Sequence, residues 1–387
     1  MVNIKEVSAK SINDSRGDQT IEVSIKTNVG KFSASSPQGK SRGKHEVKLY
    51  KESLENDIKA LETLSDYFSD EIFDNFENLR QAEDILKGHV GGNTLLAFEC
   101  AVLKALAKEK KKQVWQIINP KAKKFPRLVG NCVGGGKHSE NSLTKPDFQE
   151  FLLIPNFKSI KKSYETNKKT KEKVEAFLKT SDKKFNSEKN DENAWKTSLN
   201  EKQVLEVLKK TNLPLGLDIA ASSFYNRKKY NYENPKLDRT SEEQLFYLSN
   251  LIKNYNLFYL EDPFDEEDFE SFAKLLKKYP NSLIVGDDLT VTNSKRLKKA
   301  IEKKSINAII IKPNQCGSLL EVKRVVEIAK ENNLKMIFSH RSGETEETIL
   351  ADLAFGFQAD FFKCGIEGDA REKKILRLVE IENGFRK

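Results

Sequence analysis

From about Leu213 onward the chain repeats one pattern. A short apolar run ends in an ionisable residue, and a stretch with helical periodicity follows. The runs are LPLGLD ending at Asp218, LFYLE at Glu261, SLIVGD at Asp287, AIIIK at Lys312, KMIFSH at His340 and ADFFK at Lys363. Most of these ends lie about one βα unit apart, roughly 30 residues. The longer interval between Asp218 and Glu261 predicts an insertion. Successive units of this kind predict an α/β fold, a closed (β/α) barrel of TIM type, with the six end residues gathered at the C-terminal mouth of the strands. The competing architecture is a doubly wound open sheet. It gives no reason for an ionisable group at the end of so many successive strands.

The first third reads differently. Val7 to Ile12 and Thr20 to Thr27 alternate apolar and polar side chains, with Asp14-Ser15-Arg16-Gly17 as the turn between them and a third strand from Lys31 to Ser35. From Lys48 to Lys108 the period becomes helical: Leu54, Ile58 and Leu61 share one face, as do Leu95, Phe98, Val102 and Leu106. Strands followed by helices predict a small α+β domain over residues 1–125, before a barrel domain over 126–387. Lys158 to Lys210 is rich in Lys, Glu and Asn, which predicts surface helices with Asp182 to Lys196 as a polar loop.

Composition narrows the function classes. At 37% hydrophobic and 32% charged over 387 residues, the chain has material for two globular domains. Its formal charge is +9. The lysines are scattered and usually stand beside glutamates, which reads as a solvated surface rather than a nucleic-acid face. Cys100, Cys132, Cys316 and Cys364 form no Cys-x-x-Cys pair and read as ordinary thiols. The N-terminus lacks the apolar core of a leader, and no run reaches the ~18 apolar residues of a membrane span. The cytoplasm is the compartment expected by elimination.

The strand ends carry the chemistry. Asp218, Glu261 and Asp287 close three successive predicted strands, and converging carboxylates repel unless a cation lies among them. An all-oxygen set suits Mg²⁺. A lysine at the next strand end, Lys312, fits a base that removes a proton beside a carboxylate, provided its neighbours depress its pKa. Arg341 and Ser342, in a glycine-containing turn, suit a phosphate, and Lys363 suits a carboxylate. Together these imply a small, strongly anionic substrate. Gly134-Gly135-Gly136 lacks the spacing of a nucleotide loop and predicts a close backbone approach that carries His138. Glu150 lies within the apolar run FQEFL, where a carboxylate is costly to bury unless used or paired.

With these residues in hand, the sequence resembles the enolase (phosphopyruvate hydratase) family over nearly its whole length. The matching stretches are DSRG (14–17), GGGKH (134–138), FQEF (148–151), GLDIAAS (216–222), EDPF (261–264), GDDLTVTN (286–293), KPNQCGS (312–318), SHRSGETEET (339–348) and FKCG (362–365). The resemblance implies an N-terminal α+β domain capping the barrel, a homodimer or higher homo-oligomer, and Mg²⁺-dependent, reversible dehydration of 2-phosphoglycerate to phosphoenolpyruvate. It implies Lys312 as the base and Glu192 as the general acid. Asp218, Glu261 and Asp287 become ligands of the first Mg²⁺, and Ser41 a ligand of a second. Arg341 and Ser342 become phosphate ligands and Lys363 the carboxylate partner, with Glu150, His138 and His340 completing the site.

Departures from the family pattern fall in loops. Gln38-Gly39-Lys40-Ser41-Arg42 stands where the family reads approximately SGAST. Asn190-Asp191-Glu192-Asn193-Ala194-Trp195 replaces a GDEGG-type loop and has lost every glycine. Asparagine tolerates the backbone angles glycine permits, so the loop is expected to keep its shape. Lys137 replaces a small residue, Ile366 and Glu367 replace small and proline residues, and Ala370 replaces an acid before Arg371. These changes leave two alternatives: a lyase of the same superfamily acting on a related hydroxy acid, and a noncatalytic enolase-like binding protein.

Overall fold

A computed structural model describes residues 1–139 and 144–385. The first sheet contains β1 (Val2–Asn13), β2 (Gln19–Thr27), β3 (Gly30–Ser35) and β4 (Ile72–Phe73) in the order β3-β2-β1-β4. Strand β1 starts earlier than its alternation suggests, because Val2 and Ile4 are buried as Val7 is. Helices Leu54–Leu64 and Gly92–Glu109 pack on this sheet, and Leu79–Leu86 packs against those two helices. Phe98, Val102 and Leu106 face its core as their spacing predicts, whereas Leu95 is half-buried. The β1–β2 turn reaches the barrel. Ser15 Oγ accepts from the Glu344 amide at 3.1 Å, and Arg16 donates to Ser342 Oγ at 3.3 Å.

The second sheet closes. Its strands are β5 (Arg127–Gly134), β6 (Glu150–Leu153), β7 (Leu215–Asp218), β11 (Tyr259–Glu261), β12 (Leu283–Gly286), β13 (Ala308–Ile311), β14 (Lys335–Ser339) and β15 (Phe361–Lys363), in that order around the barrel. A hairpin of β8 (Tyr225–Asn226), β9 (Lys229–Glu233) and β10 (Lys236–Arg239), with helix Ser241–Tyr255, fills the long interval after Asp218. The six predicted strands are all present, and the open-sheet alternative is excluded. Val129, Leu152, Ile154, Tyr259, Val285, Ile310 and Ile337 fill the barrel interior.

One strand runs against the others. β6 is antiparallel to both β5 and β7. Its first residue, Glu150, therefore pairs in register with Asp218, the last residue of β7. Reversal brings an N-terminal residue to the mouth that the other strands reach at their C-terminal ends.

The stretch after β6 follows its composition only in part. Helices Ile160–Ser181 and Glu201–Lys209 form as expected. The segment between them divides: Lys183, Lys184, Asn186, Glu188 and Lys189 are exposed as its polarity predicts, whereas Asp182, Asn190, Glu192, Ala194 and Trp195 are buried. Asp182 accepts from Thr197 and Ser198, Asn190 accepts the amides of Glu192 and Ala194, and Glu192 accepts from Asn131, which composition alone does not reveal. No helix among the described residues is long and apolar enough to cross a membrane.

Candidate active site

Ser41, His138, Glu150, Glu192, Asp218, Asp287, Lys312, His340, Arg341, Ser342 and Lys363 line one polar pocket at the barrel mouth, with Gly39, Gln149, Asp262 and Asp288. Glu261 lies beneath, its carboxylate held by the Tyr259 hydroxyl at 2.6 Å and by Lys363. Each residue given a role in the site by the sequence thus lines the pocket or, for Glu261, contacts it through Lys363.

Lys363 ties the acids together. Its ammonium donates to Asp218 at 2.8 Å and Glu261 at 2.8 Å and lies 3.2 Å from Glu150. Burial works to lower its pKa, but Asp218, Glu150 and Glu261 together hold it well above the ordinary lysine value. Burial and the charge of Asp218 push Glu261 up to about 8.

Lys312 sits just past β13, where its amide donates to Thr292 Oγ1 at 2.9 Å. Pro313 opens the short helix Pro313–Cys316 behind it. Its ammonium is paired with Asp287, whose other oxygen accepts from Gln315 at 2.9 Å. Burial opposes the charged lysine, yet Asp287 raises its pKa to about 12. This is the reverse of the depressed value a base requires. The cause is local: the ammonium is in direct contact with the Asp287 carboxylate.

Two groups each place one ligand atom per residue within 4.8 Å of one another: His138, Glu150 and Glu192, and Asp262, Asp287 and Asp288. Both are fit in geometry for a metal. The second is partly spoken for, since both Asp262 oxygens accept backbone amides, from Asp287 at 2.9 Å and Asp288 at 2.7 Å. Asp287 belongs both to this group and to the trio expected from the strand ends. The trio is oxygen-only, and its charge is now offset by two ammonium groups. Such a donor set suits a hard divalent cation.

Glu192 and Glu150 face the same imidazole, each with a carboxylate oxygen 3.7 Å from His138 Nδ1. His340 lies 3.7 Å from Glu192. Burial and the neighbouring Glu192 charge push Glu150 well above the carboxylate range. Burial acts on Glu192 in the same sense, but His138, His340, Arg371 and a 3.0 Å hydrogen bond from Asn131 hold it below that range. Burial in turn lowers His340, keeping its ring neutral and weakening that part of the support. The pair therefore shares its charge unequally, with the proton on Glu150.

The loop carrying Glu192 makes its turn without glycine. Asn193 takes a left-handed φ of 61°. The Asn190 side chain accepts the amides of Glu192 at 3.0 Å and Ala194 at 2.9 Å, a local turn built from an asparagine side chain.

The phosphate candidates are engaged by the chain itself. Arg341 meets the Glu46 carboxylate at 3.0 and 3.1 Å and also donates to Asn314 Oδ1 at 2.9 Å and to the Ser41 carbonyl at 3.2 Å. Ser342 Oγ accepts the Lys40 amide at 2.8 Å. Gly39 passes so close that a Cβ there would meet Arg341 Nη2 at 1.9 Å. Arg42 turns out of the pocket, donating to the Val47 carbonyl at 2.8 Å, and Lys137 is exposed.

Sequence reasoning missed Glu46, Gln149 and Asn131. Glu46 lies on an otherwise exposed loop and finds its partner 295 positions away. Gln149 Nε2 donates to Asp218 at 3.5 Å, and its place beside Glu150 in FQEF was its only signal. Asn131 lies in an apolar strand, where a polar residue is itself a hint.

Two family descriptions match: "Enolase, N-terminal domain" over residues 4–118 and "Enolase, C-terminal TIM barrel domain" over 122–386. The chain is 36% identical to an enolase of Methanosphaera stadtmanae, over 98% of this chain and 96% of the relative. It is 34% identical to an enolase of Pyrobaculum aerophilum, with the same coverage. An enolase of Archaeoglobus fulgidus is 33% identical over 98% of this chain and 97% of its own length.

Proposed function

The chain belongs to the enolase family, and on that premise we propose that it dehydrates 2-phosphoglycerate reversibly to phosphoenolpyruvate. The observation that carries the reading is the meeting of Lys312, Glu192 and Arg341 in one buried pocket. A base, an acid and a guanidinium are what removal of a proton and a hydroxyl from a phosphorylated acid requires.

In the forward direction Lys312 takes the proton from C2 of the substrate. The electron pair released from that C–H bond first passes onto the substrate carboxylate and then returns to form the C2–C3 double bond as the C3–oxygen bond breaks. Glu192 hands the departing hydroxyl a proton taken over from Glu150, which faces it across His138 and holds the pair's proton in the free site, and the hydroxyl leaves as water. Arg341 and Ser342 bind the phosphate, and Lys363 pairs with the carboxylate. Asp218, Glu261 and Asp287 are the residues that would hold Mg²⁺, with Ser41 for a second ion. Bound there, Mg²⁺ would supply positive charge to offset the charge developing on the substrate carboxylate. Such charge beside Asp287 would also relieve the contact that now holds Lys312 protonated. His138, Glu150 and His340 surround Glu192 and set its proton affinity.

Of the residues that motivated a related substrate, Lys40, Arg42 and Lys137, Lys137 is exposed and Arg42 is taken up by the Val47 carbonyl and the Glu46 carboxylate, while Lys40 stays at the pocket through its amide on Ser342. The test is absorbance of phosphoenolpyruvate formed from 2-phosphoglycerate by the pure protein, with millimolar Mg²⁺ and with chelator. Turnover in the first condition and its loss in the second are expected; no turnover with Mg²⁺ would overturn the proposal.

A further inference from the structure

Lys171, on helix Ile160–Ser181, is a lysine the chemistry above does not use, yet its side chain is 0% exposed. A buried ammonium is costly unless paired. Its partner is Glu367, at 2.5 Å. Lys189 meets the same carboxylate oxygen at 2.8 Å. Both ammonium groups lie over the Trp195 ring, at 5.0 and 4.9 Å from its centre. The indole N–H donates to the Lys171 carbonyl at 3.0 Å. Trp195 is fixed by its backbone as well: its amide donates to the Cys132 carbonyl at 2.9 Å, and its carbonyl accepts from Gly134 at 3.0 Å. Asn193 Nδ2 reaches the Glu367 carbonyl at 3.5 Å.

Lys189 and Trp195 therefore bracket the glycine-free segment that carries Glu192. Glu367 follows β15, whose last residue is Lys363. One carboxylate thus links the strand end bearing Lys363 to both ends of the loop bearing Glu192. Its placement coincides with the two departures noted in the sequence, the lost glycines and the acid at 367.

We propose that Glu367 is a positioning residue for Glu192, acting through the Lys171–Lys189–Trp195 cage, and that this cage fixes a loop which glycine no longer shapes. The inference rests on Glu192 being the general acid. A loosened loop misplaces the acid while leaving the base untouched. Loss of positioning is therefore expected in the dehydration step alone.

The test uses Glu367→Gln, with Lys189→Met as a milder second variant because Lys189 is partly exposed. Both are made in the full chain carrying Trp115→Phe, so that Trp195 is the sole tryptophan. Expected for Glu367→Gln are a 10- to 100-fold fall in kcat for dehydration, C2-proton exchange into D₂O within about twofold of the parent, a red-shifted Trp195 emission, and faster amide exchange confined to residues 190–195. Lys189→Met should show the same signature, reduced. Equal loss of exchange and dehydration, or unchanged emission and amide protection, would overturn the proposal. If the parent itself does not turn over 2-phosphoglycerate, the functional reading fails separately. Amide protection and emission then decide whether Glu367 holds the loop.

Discussion

Arg341 has four N–H groups on its two terminal nitrogens, and Glu46, Asn314 and the Ser41 carbonyl engage them. An incoming phosphate must take over donors that Glu46 now uses. Glu46 is thus an internal competitor as well as the partner that makes a buried guanidinium tolerable. Glu46→Gln keeps the shape and removes the charge. The variant should lose stability on the order of 2 kcal/mol in phosphate-free buffer. It should recover more of it on adding inorganic phosphate than the parent does, since the freed arginine gains an anion. Thermal melts across a phosphate series check both parts. A variant that phosphate stabilises less than the parent would show that Glu46 only orients Arg341.

At the scale of elements, the loop at 190–195 illustrates how a turn survives the loss of its glycines. Asn193 takes the left-handed angle, and the Asn190 side chain supplies the hydrogen bonds. Asn193→Gly should be nearly neutral in denaturant midpoint and activity. Asn193→Ala should cost roughly 1 kcal/mol, with dehydration falling more than stability alone explains. The strand ends were legible in sequence because a buried strand bounded by an ionisable residue is a strong local pattern. Direction was not legible: the apolar residues of β6 read the same in either sense, and only pairing shows that Glu150 meets Asp218. Burial of Asn190, Glu192, Ala194 and Trp195 was equally hidden. Partners of Glu192 and Trp195 lie on other elements: Asn131 donates to Glu192 at 3.0 Å and the Trp195 indole to the Lys171 carbonyl at 3.0 Å.

On the scale of the whole molecule, the first domain completes the site built on the second. Ser35 Oγ donates to Thr345 at 2.8 Å, Lys104 pairs with Glu347 at 2.7 Å, and Glu99 caps helix Leu319–Glu331 by accepting the Leu319 amide at 2.7 Å. The 38–46 loop itself is held by the backbone pairing of Gln38 with Gly343, at 2.9 Å in each direction. Family resemblance made the domain pair legible, but the joints between them involve residues no motif marks. Global stability should also carry a pH signature away from the pocket. Burial and the nearby Asp147 push Glu201 up to about 7 from its ordinary 4.5. Between those values the folded protein keeps a proton that the unfolded chain has released, so stability falls as pH rises through that window. Glu201→Gln removes the effect. The variant should exceed the parent by on the order of 1–3 kcal/mol at pH 8, with the gain vanishing below about pH 4. Denaturant titrations at the two pH values measure it, and a pH-independent difference would assign the cost to packing instead.

The division of labour between Lys312 and Glu192 is best read in D₂O, by following loss of the C2 proton of 2-phosphoglycerate beside phosphoenolpyruvate formation with Mg²⁺ present. Lys312→Ala should remain folded and lose both exchange and dehydration by several orders of magnitude. Glu192→Gln should retain exchange while dehydration falls steeply. Exchange that survives in Lys312→Ala, or that disappears with dehydration in Glu192→Gln, would contradict the assignment of base and acid.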